Sequence, residues 1–88
     1  MNRVVEITNS RGLHARASAK FCSVAGQFNS VVSVTRDGVT VGGCSIMGLL
    51  MLGASKGCEI MVTAEGDDEE QALAALTELI ENRFGEKE

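Results

Sequence analysis

This 88-residue chain contains a single histidine, and the residues around it decide what that histidine can do. His14 lies in Gly12-Leu13-His14-Ala15-Arg16-Ala17-Ser18-Ala19-Lys20-Phe21, where a polar loop gives way to a run without a helix breaker before Gly26. The spacing predicts a helix over 15–25, with His14 at its start and Gly26 at its C-cap. A helix start presents N–H groups without carbonyl partners and about half a positive charge, which together form a receptor for phosphate. Free imidazole titrates near ~6.5, so most of it carries a nucleophilic lone pair at neutral pH. With Arg16 and Lys20 close behind, the chemistry suggested is phosphoryl transfer on His14. The forked donors of Arg16 would clamp the phosphoryl oxygens, and positioning and charge neutralisation would supply most of the catalysis. On spacing alone, a capping or surface histidine fits the same pattern.

A second candidate is Ser45, which opens Ser45-Ile46-Met47-Gly48-Leu49-Leu50-Met51-Leu52-Gly53. It fits an N-cap and Gly53 a C-cap, giving a helix of about two turns. Phosphate on a capping hydroxyl adds about −1.5 to −2 charges where the helix dipole favours them, so it would act on a docking partner and spare the fold. On the residues alone, a plain capping serine is the better reading. So short a helix buries one stripe only, which leaves Met47 and Leu50 as an expected exposed apolar patch of the kind that binds proteins.

The elements that must hold these residues follow from the remaining pattern. Strands are predicted over 4–8, 31–36, 39–41 and 58–64, with Asp37-Gly38 as a tight hairpin turn. A last helix is predicted over 68–84, from Leu73, Leu76, Ile80 and Phe84 at helical spacing behind an acidic first turn. The order is β-α-β-β-α-β-α in one domain spanning 1–88. The fold class is α+β: a four-stranded antiparallel sheet with three helices on one face.

Composition narrows the function. Residues 1–58 carry six basic against two acidic side chains, and residues 59–88 carry ten acidic against two basic. A basic half around the histidine predicts an anionic ligand or partner there. Three aromatic residues, all Phe, and an overall net charge of −4 argue against nucleic acid. Cys22, Cys44 and Cys58 form no CxxC pair, and one histidine leaves few nitrogen ligands, so no metal site or cofactor is expected and the thiols read as reduced and mostly packed. The longest apolar stretch is far below the ~20 residues of a membrane span, and the N-terminus lacks the pattern of a signal peptide. A cytoplasmic protein is expected, without membrane insertion.

Taken together, these segments resemble the histidine-containing phosphocarrier (HPr) family of the bacterial phosphoenolpyruvate-dependent phosphotransferase system. The resemblance spans nearly the whole chain and is carried by Gly12-Leu13-His14-Ala15-Arg16 with Ala19-Lys20-Phe21, and by Ser45-Ile46-Met47-Gly48 running on to Leu52-Gly53, Lys56-Gly57 and Glu59-Ile60. It implies an open-faced β-sandwich. It also implies that His14 is phosphorylated on Nδ1 by phospho-enzyme I and gives its phosphoryl group to enzyme IIA proteins, with Arg16 stabilising the phosphate. Ser45 matches the serine modified by HPr kinase/phosphorylase, and Ala15, Lys20, Ile46, Met47 and Leu50 fall on the docking surface. A monomer that carries phosphate without being a complete enzyme is expected. One departure is Ala17, which stands where the family usually has proline directly after the arginine; alanine adds one N–H donor near the phosphate and loosens the turn slightly. The alternative is a regulatory binding module of a nitrogen-type branch, working mainly through protein contacts and Ser45.

Overall fold

The computed structural model describes residues 1–88. Four strands, β1 (Asn2–Glu6), β2 (Val31–Arg36), β3 (Val39–Gly42) and β4 (Glu59–Glu65), form one antiparallel sheet in the order β1-β4-β2-β3. Three helices complete it: α1 (Ala15–Ala25), α2 (Ile46–Met51) and α3 (Glu69–Glu81). The element order and fold class are those expected from the sequence.

Alternation explains the layering. Val32 and Val34 of β2, and Ile60, Val62 and Ala64 of β4, turn inward at every second position and are buried. They meet Ala17 and Phe21 of α1, Leu49 of α2, and Ala72, Leu73, Leu76 and Ile80 of α3 in one core. Intervening residues such as Thr35 and Met61 pair across the opposite face, where no helix lies. The hairpin turn has positive φ at both central residues, 50° at Asp37 and 80° at Gly38, as an Asp-Gly primed turn requires.

Two boundaries differ from the sequence pattern. The first strand is shifted to 2–6 because its partner begins at Glu59, which pairs with Glu6 and leaves Thr8 nothing to pair with. The last helix stops at Glu81 rather than Phe84. Arg83 and Phe84 take left-handed backbone angles (φ 57° and 54°) inside a single 3-10 turn over Arg83–Gly85. Phe84 is still buried, as its spacing predicted, but it enters the core from that turn. The reversal brings the last residues back to the loop before α1 and the start of that helix.

Candidate functional site

The loop before α1 is fixed by its backbone. Gly12 has φ +66°, and a Cβ there would lie 2.5 Å from the Ala54 carbonyl oxygen, so only glycine fits. Leu13 N–H then donates to Ala54 O at 2.9 Å, and the buried Asn9 side-chain amide donates to Gly12 O at 2.8 Å. These contacts set His14 as the N-cap of α1 with extended backbone (φ −77°, ψ −178°). The first rung of the helix runs from Ser18 N to His14 O at 2.8 Å. The N–H groups of Ala15, Arg16 and Ala17 precede that rung and are left to an incoming ligand or water. The Ala17 side chain is buried in the core, so it gives the mouth only its N–H.

The returning C-terminal segment closes the other side. Glu86 places one carboxylate oxygen against His14 Nε2 and the other 3.1 Å from Asn9 Nδ2. Lys20 Nζ donates to Phe84 O at 2.6 Å, and Ser10 N donates to Glu88 O at 2.9 Å. The hydrogen bond from His14 holds the Glu86 carboxyl below the usual carboxylate range; the Asn9 bond and the charges of His14 and Arg11 add to this, and burial opposes it. An ionised carboxylate only accepts, so Nε2 carries the proton in this contact. Nδ1 makes no hydrogen bond to the helix that His14 caps. Whenever the ring is neutral, its lone pair therefore lies on Nδ1, and the His14 side chain remains 17% exposed.

Arg11, Arg16 and Lys20 line the same cleft together with Glu86 and Lys87. Arg16 is exposed and makes no hydrogen bond or ion pair within the chain, so its guanidinium is available to a ligand. Sequence reasoning found His14, Arg16 and Lys20 and missed Glu86, Asn9 and Arg11. The one signal that pointed to Glu86 was the charge asymmetry: the first anion to meet the basic half is the chain's own acidic tail.

Ser45 caps α2, its Oγ accepting from Gly48 N at 3.1 Å, and it is exposed. On α2, Leu49 is buried while Met47 is 69% and Leu50 36% exposed, as expected, and Ile46 and Met51 are exposed as well. Ala15 is exposed too, and α1 and α2 pack as neighbours. The expectation of packed thiols does not hold: Cys44 is exposed, and Cys22 and Cys58 are half-buried. Cys44 sits in the turn ahead of the α2 cap, where its side chain has no core to enter. No group of three or more His, Cys, Asp or Glu side chains is placed to hold a metal ion, and no helix is long and apolar enough to cross a membrane.

A small open-faced sheet with a capping histidine beside unpaired cations defines a protein-borne phosphate acceptor of the phosphotransferase type. The family described as "PTS HPr component phosphorylation site" matches residues 1–82. The phosphocarrier protein HPr of Neisseria meningitidis is 51% identical over 88 residues, covering 100% of this chain and 99% of its own. The crystal structure of HPr-C-His from Thermoanaerobacter tengcongensis superposes with a TM-score of 0.95 at 45% identity, covering 100% of this chain and 99% of that one. A second structure from that organism, described as an HPr dimer, gives 0.79 at 49% identity over 93% of this chain and 94% of that one. The chain belongs to the HPr family, the phosphocarrier proteins of the phosphotransferase system.

Proposed function

We propose that this chain accepts a phosphoryl group from phospho-enzyme I on His14 Nδ1 and donates it to enzyme IIA proteins in the cytoplasm. The observation that carries the reading is the ring's polarity: Nε2 is tied to Glu86 and Nδ1 stands free at the helix start. In the uptake step the Nδ1 lone pair bonds to phosphorus as the donor's P–N bond breaks, and the electron pair returns to the donor's imidazole. The open N–H groups of α1 and the Arg16 guanidinium neutralise the phosphoryl oxygens. Glu86 stabilises the positive charge that the ring gains through its Nε2–H. Donation to an enzyme IIA is the same step reversed, so the chain ends each cycle unchanged, a carrier that depends on partner enzymes at both ends.

Ser45 is the regulatory site in this reading, the target of HPr kinase/phosphorylase. Phosphate there meets the start of α2 and changes the surface made by Ala15, Lys20, Ile46, Met47 and Leu50 on which the partners dock. The chain acts as a single copy, which light scattering at working concentration checks.

The test is incubation with phosphoenolpyruvate and enzyme I, which should yield an acid-labile, alkali-stable phosphate that His14→Ala abolishes. Label persisting in that variant overturns the assignment. Arg16→Ala should slow transfer on the order of 10²-fold, the usual loss for one transition-state donor, while leaving kinase-dependent phosphate at Ser45 intact. Equal loss of both would mark a damaged fold and remove Arg16 from the site.

A further inference from the structure

The carrier cycle uses none of the three cysteines, yet two of them meet. Cys22 lies on α1 and Cys44 in the turn before the Ser45 cap, 22 positions apart. The Cys22 thiol donates to the Cys44 carbonyl oxygen at 3.2 Å, and the Cys44 thiol reaches back to the Cys22 carbonyl oxygen at 3.9 Å. Each sulfur lies within 4 Å of the other residue's carbonyl oxygen, which brings the two side chains together as neighbours across α1 and the turn before α2. Burial raises the Cys22 thiol above its ordinary range, and the charge and hydrogen bond of Cys44 add to this, so the two sulfurs sense each other directly. Cys44 is open to solvent and Cys22 partly so. Cys58 is elsewhere, against Ser55 and Arg36, and has no second thiol beside it.

We propose that Cys22 and Cys44 are a redox pair, oxidised by hydrogen peroxide to an intramolecular disulfide that fastens α1 to the start of α2. The exposed Cys44 thiolate attacks one peroxide oxygen; the O–O bond breaks, one water leaves, and Cys44 becomes a sulfenic acid. The Cys22 thiolate then attacks the Cys44 sulfur, forming the S–S bond and displacing hydroxide, which takes up a proton as the second water. Two thiols lose two electrons and the peroxide is reduced to two waters. In a reducing compartment such a bond is transient and responds to oxidant, which is the regulatory use of intracellular disulfides. It joins the two elements that border the Ser45 cap and leaves the His14 cleft untouched.

This inference stands apart from the carrier reading, because the chemistry is read on the chain alone. The fully reduced chain is treated with hydrogen peroxide, its remaining thiols are blocked, and it is digested with trypsin. The expected product is a monomer lighter by two hydrogens before blocking, with Phe21–Arg36 cross-linked to Asp37–Lys56 and Cys58 carrying the blocking group in Gly57–Arg83. Cys22→Ala and Cys44→Ser should each abolish the cross-link, and Cys58→Ser should keep it. The oxidised chain should melt roughly 10 °C higher than the reduced one. A cross-link through Cys58, a disulfide-linked dimer, or overoxidised Cys44 with Cys22 still free would overturn the pair. An unchanged or lower melting temperature would overturn the fastening of α1 to α2. A chain that forms the bond but takes no phosphate from enzyme I would count against the carrier reading only.

Discussion

Glu86 closes on the ring of His14 from 72 residues further along the chain, and that contact decides which ring nitrogen is left to react. The carboxylate engages Nε2, so the reactive lone pair falls on Nδ1 at the open end of α1.

Glu86→Gln removes the charge that makes Nε2 the obligatory donor, since an amide can donate or accept. Long-range proton–nitrogen NMR should show one dominant tautomer in the parent chain and a mixture in the variant. Phosphate uptake should fall on the order of tenfold, the scale seen when a partner that orients an imidazole is lost. Acid should release the contact as well. Because the folded-state carboxyl is held low, its contribution is present above the ordinary glutamate range and fades as pH drops through the lowered value.

Phe84→Ala tests how that tail is anchored. The side chain is buried and its carbonyl holds Lys20. Truncation should cost about 3–5 kcal/mol in denaturant unfolding. It should also free the segment after Glu81, seen as faster amide exchange at Ser10, whose N–H is bonded to Glu88.

Ser45→Ala loses the bond from Gly48 N and should cost about 1 kcal/mol, lowering the melting temperature by roughly 4–8 °C. Ser45→Asp keeps an acceptor at the cap and adds a charge the helix start favours. It should weaken docking to enzyme I, measured by calorimetric titration, without lowering the melting temperature.

Cys58 should alkylate at lower pH than Cys22. Hydrogen bonds from Ser55 lower its titration range, with a further pull from Arg36, whereas Cys22 is raised. Thiolates, not thiols, alkylate. Iodoacetamide labelling followed against pH should therefore reach half its maximal rate at lower pH for Cys58 than for Cys22. The reverse order would disprove the Arg36–Ser55 environment.

Local signals in the sequence were sufficient wherever neighbours in the chain set the structure. Alternation at Val32 and Val34, the Asp37-Gly38 turn, the Ser45 cap and the start of α1 at Ala15 all follow from backbone preferences acting over a few residues. They determine the element order, and with it the placing of His14 beside Arg16 at a helix start. Three things waited for the tertiary structure: the end of α3 at Glu81, the return of Glu86 to His14, and the meeting of Cys22 with Cys44. The first turns on whether Phe84 reaches the core better from a helix or from a left-handed turn, and periodicity reads the same either way. The other two join residues far apart in the chain. Their proximity depends on how the sheet, α1 and the final turn pack together, and no local preference records that distance.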